Sequence, residues 1–129
     1  MRILALDYGR ARTGVAISDP TGTLARPLAV VRRVRSKAGM QELLQLVDEH
    51  EPERIVIGLP LTLRGEEGEQ ARETRLFVSE LAGRCSLPVE TYDERFTTAL
   101  AGRATGGRSD EDAVAAAHLL EGYLRRLLG

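Results

Sequence analysis

The hydrophobic pattern changes period near residue 40, and that change limits the fold more than any bulk property. Before it lie three short apolar runs. Arg2-Ile3-Leu4-Ala5-Leu6 ends at Asp7, Gly14-Val15-Ala16-Ile17-Ser18 is the second, and Leu28-Ala29-Val30-Val31 is the third, with Pro27 at its first position. Gly9 lies in the first connection and Asp19-Pro20-Thr21-Gly22 marks the second. Strands joined by turns this short pair as an antiparallel meander. Beyond the change, Met40, Leu43, Leu44 and Val47 follow the i, i+3, i+4, i+7 spacing of an amphipathic helix, with Pro52 past its end. Ile55-Val56-Ile57 is a continuous β-branched run, the mark of a strand buried on both faces. A polar loop at 65–68 precedes a second helix, marked by Ala71, Thr74, Val78, Leu81 and Ala82. Residues 89–92 predict a last strand and residues 98–103 a short helix. Ala113, Ala116, Ala117, Leu120, Leu124 and Leu127 form one face of a final helix. A meander followed by αβ units predicts an α/β fold, a mixed sheet covered by helices with right-handed crossovers.

A length of 129 residues fits a single domain spanning 1–129. Among 129 residues there is one cysteine, Cys85, so no intramolecular disulfide forms, which suits a reducing cytoplasm. No apolar run approaches the ~18–20 residues that span a bilayer, and Asp7 and Arg10 interrupt the first run too early for a signal peptide, so no membrane partner is expected. The net charge of −1, taken as a sum, argues against a nucleic-acid partner, but it hides an asymmetry. Residues 1–40 hold eight Lys or Arg against two acids, concentrated in Arg32-Arg33-Val34-Arg35-Ser36-Lys37. A second, acid-free run from Arg95 to Arg108 includes Arg103. Arginine forks onto phosphate or carboxylate, although a preference for Arg over Lys also follows from genome composition.

Three acidic positions could share one place. Asp7 ends the first strand, Asp93 and Glu94 follow the last, and Asp112 sits in the first turn of the final helix. Ends of adjacent strands lie close together, and converging carboxylates suit Mg²⁺ or Mn²⁺, hard cations that prefer oxygen. Two such ions ~3.5–4 Å apart would clamp a phosphodiester and activate water. Each acid also has an ordinary explanation. Asp7 before Tyr8-Gly9 makes an Asx turn, Asp93 or Glu94 pairs with Arg95, and Asp112 completes a capping box with Ser109.

Asp7-Tyr8-Gly9-Arg10-Ala11-Arg12-Thr13-Gly14 puts an acid, two glycines and two arginines in one inter-strand turn. Its backbone N–H groups could cradle phosphate, with Arg10 and Arg12 supplying charge; the alternative is a plain glycine hairpin. Gly58-Leu59-Pro60 reads as a sharp strand exit or as a loop framing a cleft. Thr97 and Thr98 either cap a helix or bond phosphate. Tyr8, Tyr92 and Phe96 lie near the acids, with core packing their default role. His50, His118 and Cys85 form no zinc spacing or nucleophile–base pair.

Four blocks, taken together, resemble the YqgF (RuvX)-type nucleases of the RNase H-like fold. They are residues 7–19, then Val56-Ile57-Gly58-Leu59-Pro60-Leu61, then Asp93-Glu94-Arg95-Phe96-Thr97-Thr98, and finally Asp112 followed by Ala115-Ala116, Leu119-Leu120 and Tyr123-Leu124. The resemblance implies a five-stranded mixed sheet, its second strand antiparallel, flanked by helices. It implies metal-dependent phosphodiester hydrolysis, with Asp7, Glu94 and Asp112 as catalytic ligands of Mg²⁺ or Mn²⁺ and Asp93 as an alternate. The substrate class implied is structured nucleic acid, held by Arg10, Arg12, Arg33, Arg35, Lys37, Arg95, Thr97, Thr98, Arg103 and Arg108. The family role is maturation of the 5′ end of pre-16S rRNA in the cytoplasm, with Holliday-junction resolution as the alternative. Many members carry a longer, basic loop before the final Asp; here residues 98–112 are short.

Two other classes compete. An actin-like phosphotransferase shares the fold and needs a second lobe for which 129 residues leave no room. A non-catalytic RNA-binding assembly factor would use the same basic patches and show salt-sensitive binding without cleavage. Symmetric cutting of a junction requires two sites, hence a homodimer rather than a monomer.

Overall fold

The structure is a computed structural model, and it describes residues 1–96 and 109–128. The chain runs β1 (Ile3–Asp7), β2 (Arg12–Ser18), β3 (Ala25–Arg32), α1 (Lys37–His50), β4 (Arg54–Leu59), α2 (Glu69–Ala82), β5 (Val89–Asp93), a 3₁₀ turn (Glu94–Phe96) and α3 (Ser109–Leu128). The strands form one sheet in the order β3-β2-β1-β4-β5. β1–β2 and β2–β3 are antiparallel, while β4 pairs parallel to β1 and β5 parallel to β4. The expected mixed sheet, with its meander and antiparallel second strand, is present.

Residue alternation decides which side each strand residue faces. Leu4, Leu6, Tyr8, Val15, Ile17, Ile55 and Ile57 pack with Met40, Leu43, Val47, Phe77 and Leu81, on the side of α1 and α2. Ile3, Ala5, Ala16 and Val56 pack instead with Ala116, Leu119, Leu120, Tyr123 and Leu124 of α3. Both faces of β1 and β4 are thus covered, which is why their sequences are unbroken apolar runs. Each fully buried Leu or Ile contributes about 1.5–3 kcal/mol relative to exposure.

Local chemistry fixes the helix ends. Ser36 caps α1, its Oγ accepting the Gly39 N–H at 3.0 Å and donating to the Arg33 carbonyl at 2.7 Å. At the other end Glu51 turns left-handed (φ 47°) and returns its N–H to the Val47 carbonyl before Pro52.

Expectations about β3 and α2 need adjustment. β3 begins at Ala25, so Pro27 lies inside the strand rather than at its start. It stands opposite Ala16, next to a register shift between Val15 and Ala16, and β3 is an edge strand, where Pro is tolerated. The buried stripe of α2 is Ala71, Thr74, Phe77 and Leu81, so Phe77 takes the position assigned to Val78. Phe77 stacks on Tyr8 with ring centroids 4.9 Å apart, a long-range contact that periodicity alone did not single out. The short helix expected at 98–103 lies outside the described residues.

Candidate active site

The site grows from strand register. Asp7 at the end of β1 pairs with Gly14 of β2. On its other side the β1–β4 register, Ala5 with Val56 and Leu6 with Ile57, leads on to Gly58. Ile3, Ala5 and Val56 face α3, so by alternation Asp7, Gly14 and Gly58 belong to that same face.

The two glycines give that face its space. A Cβ on Gly14 would stand 1.8 Å from the Asp112 carbonyl oxygen, so α3 begins in contact with the backbone of β2 beside Asp7. A Cβ on Gly58 would stand 2.9–3.1 Å from Cγ, Cδ and Oε1 of Glu94, so the Glu94 carboxyl group lies over β4. Asp7, Glu94 and Asp112 are therefore gathered at one end of one sheet face. The sequence places Gly58 at a strand exit or in a loop framing a cleft, and Gly14 where the first turn meets the second strand, without giving either a packing role. The available signal was a glycine inside each strand, where a side chain was expected.

The acids differ in their partners. Arg12 Nε lies 3.1 Å from Asp112 Oδ2. That contact lacks the alignment of a hydrogen bond, and the buried Oδ2 has no hydrogen-bond partner among the described residues. Asp93 is committed to Arg95, which approaches its two oxygens with Nε at 3.1 and 3.0 Å and Nη2 at 2.6 Å, while the Arg95 N–H donates to Oδ1 at 2.9 Å. This fork holds the Asp93 carboxyl below its usual range. Arg95 also donates to the Leu63 carbonyl at 3.3 Å and lies against Gly65, tying the 60–68 loop to the end of β5. Among the described residues no three carboxylates, histidines or cysteines are drawn into a ready-made cation shell.

The basic residues lie mostly on the opposite side of the same sheet end. Tyr8, Arg10, Arg33, Arg35, Glu73 and Glu80 line a groove of about 680 Å³. Arg10 forks onto Glu73 at 3.1 and 2.6 Å, and Tyr8 Oη donates to the same carboxylate at 2.9 Å. Arg35 forks onto Glu80 at 2.7 and 3.2 Å. Arg33, with φ 45°, and Lys37 are exposed at the entry to α1. Arg12 stands apart from this group, at the carboxylates. Thr97, Thr98, Arg103 and Arg108 lie outside the described residues. The acidic partners Glu73 and Glu80 were not foreseen; their i, i+7 spacing on α2 was the signal.

A family profile described as "RuvX: Holliday junction resolvase" matches residues 1–126. The chain belongs to the RuvX family. A relative from Moorella thermoacetica, named "Putative pre-16S rRNA nuclease", is 41% identical over 98% of this chain and 96% of its own length. One from Bordetella pertussis with the same name is 39% identical over 97% and 94%. Among solved structures, Thermus thermophilus RuvC in complex with Holliday junction substrate aligns with a TM-score of 0.62 at 19% identity, covering 100% of this chain and 96% of that one. The fowlpox virus resolvase with junction DNA aligns at 0.54 and 12%, covering both chains fully. At such identities the likeness concerns the fold, and the RuvX chain has the RNase H-like fold that its motifs implied.

The Tyr8–Glu73–Arg10 cluster makes a pH prediction. Hydrogen bonds from Arg10 and then Tyr8 lower Glu73 from 4.5 to about 2. A depressed carboxyl stabilises the fold above its unfolded value, and that stabilisation is lost as pH falls through the folded value. Glu73→Gln should therefore melt below the wild type at pH 6, with the gap narrowing below 4.5 and closed near pH 2. Thermal unfolding across that range checks it.

Proposed function

We propose that residues 1–129 act as one metal-dependent endonuclease domain on structured nucleic acid, maturing the 5′ end of pre-16S rRNA in the cytoplasm. The observation that carries this reading is the gathering of Asp7, Glu94 and Asp112 at one end of the α3 face, with Gly14 and Gly58 clearing the space. The names of the full-length relatives support the RNA substrate.

The donor set fits Mg²⁺ or Mn²⁺. All three groups offer hard carboxylate oxygens, and Asp112 Oδ2 is buried without a hydrogen-bond partner among the described residues. Asp7, Glu94 and Asp112 would hold the cation. Held there, a divalent cation would supply charge neutralisation at the phosphodiester and activation of water. The chain's own share is positional. β1 and β4 fix Asp7 beside Gly58, the 3₁₀ turn brings Glu94 over Gly58, and α3 supplies Asp112. Arg10, Arg33 and Arg35 would meet phosphates from the groove on the other side of the sheet end, and Arg95 braces Asp93 and the loop. Thr97, Thr98, Arg103, Arg108, Lys37 and Arg12 complete the proposed contact set.

Because Asp93 is held by Arg95, Glu94 is the preferred ligand of the two. Asp93→Asn should retain cleavage within about tenfold of wild type, since it removes a brace rather than a ligand. Single-turnover cleavage rates check this; a loss of a thousandfold would exchange the two roles.

The deciding experiment is incubation of a 5′-extended 16S precursor with the protein and Mg²⁺ or Mn²⁺, mapping the new end. Cleavage at the mature 5′ end is expected. RNA binding with no cleavage in either metal would favour a non-catalytic assembly factor. The family description favours a second reading, resolution of four-way DNA junctions. Paired symmetric nicks in junction DNA by a homodimer, with precursor RNA left intact, would select it; a monomer suits the RNA reading.

A further inference from the structure

Arg12 meets Asp112 in a different geometry from that of Arg10, Arg35 and Arg95 with their carboxylates. Arg10, Arg35 and Arg95 each fork onto a carboxylate with aligned hydrogen bonds. Arg12 approaches Asp112 at 3.1 Å without that alignment, and the oxygen it faces is buried with no hydrogen bond among the described residues. A carboxylate oxygen removed from water without a hydrogen bond is costly unless a charge compensates it. Both side chains are partly covered, 29% and 25% exposed, so the attraction is not fully screened. The helix cannot relieve the contact by retreating toward β2, because its first turn already touches Gly14.

We propose that Arg12 is the internal counter-ion of Asp112, holding the charge of this carboxylate until a divalent cation displaces the guanidinium from Oδ2. The inference rests on the metal-dependent reading above and adds to it a competition between a side chain and the ion. Three carboxylates at one sheet end repel one another, and a guanidinium resting on one of them lowers that repulsion. A cation arriving at Oδ2 meets an oxygen that is compensated but not hydrogen-bonded, so it displaces no aligned bond at that atom. Arg12 opens β2, on the face where Gly14 and Asp7 meet, so the displaced guanidinium stays beside the carboxylates.

The test is Mn²⁺ affinity measured by isothermal titration calorimetry, independent of any cleavage. Arg12→Gln should bind Mn²⁺ about three- to tenfold more tightly than wild type, the range expected for removing a partly screened ion pair. Arg12→Lys keeps the charge and should stay close to wild type. In an Asp112→Asn background, Arg12→Gln should change affinity much less, because the competition has no object. Thermal unfolding without metal tells whether each variant folds; Arg12→Gln should melt lower than wild type and recover more on adding Mn²⁺. Mn²⁺ binding that is equal or weaker in Arg12→Gln overturns the proposal while leaving the metal-dependent reading intact. No Mn²⁺ binding by wild type or either variant overturns both.

Discussion

Asp7→Asn should abolish Mn²⁺-dependent cleavage, lowering the single-turnover rate at least about a thousandfold, or roughly 4 kcal/mol of transition-state stabilisation. The reason lies in position. β1 is the middle strand of the sheet, and Asp7 is its last residue, with Gly14 on one side and Gly58 on the other. Among the described residues, Asp7 is the carboxylate that ends the central strand, between Gly14 and Gly58. Asparagine keeps the shape and one oxygen but removes the negative charge that a hard cation requires. The fold should survive, shown by an unchanged circular dichroism spectrum and cooperative melting. Wild-type cleavage by a folded Asp7→Asn protein would remove Asp7 from the site.

Gly14→Ala should cost both stability and activity. The added Cβ would meet the Asp112 carbonyl oxygen at 1.8 Å, its carbon at 2.3 Å and the Ala113 nitrogen at 3.0 Å. All three are backbone atoms, so no side chain can turn aside. The first turn of α3 has to move off β2, loosening the packing of Ala113 and Ala116 and carrying Asp112 away from Asp7. Overpacking of this kind costs about 1–3 kcal/mol, and for a domain of this size that lowers the melting temperature by several degrees. Gly58→Ala is the informative companion. Its new Cβ meets the Glu94 side chain at 2.9–3.1 Å, which can shift. It should melt near wild type while cleaving more slowly. Calorimetry and cleavage of both variants separate the two effects, and wild-type melting and cleavage by Gly14→Ala would contradict the close approach of α3.

Much of this was legible in the chain. Local periodicity marked the strands around Asp7, Gly14 and Ile55 and the helices through Met40 and Leu120, because each pattern is a short-range consequence of one buried face. The acids Asp7, Glu94 and Asp112 were legible as strand-end and helix-start residues. Pairings over long sequence distances were not. Nothing near Glu73 in the chain announces Tyr8 and Arg10, nothing near Glu80 announces Arg35, and the stacking of Phe77 on Tyr8 depends on how α2 lies across the sheet. Arg95 reads both as a phosphate contact and as an ion-pair partner of Asp93 or Glu94; its choice of Asp93 and its bond to the Leu63 carbonyl follow from a turn geometry that composition does not encode.

The closeness of α3 to the sheet has a temporal side. α3 is made after every strand, and among the described residues it is the helix that covers Ile3, Ala5, Ala16 and Val56 on that face. It also carries Asp112. A nascent chain that has emerged only through the 3₁₀ turn lacks α3 over this face and has two of the three proposed carboxylates, Asp7 and Glu94. The docking that hides the apolar face is the same event that arms the proposed site, so a half-made chain is both prone to associate and unable to cut.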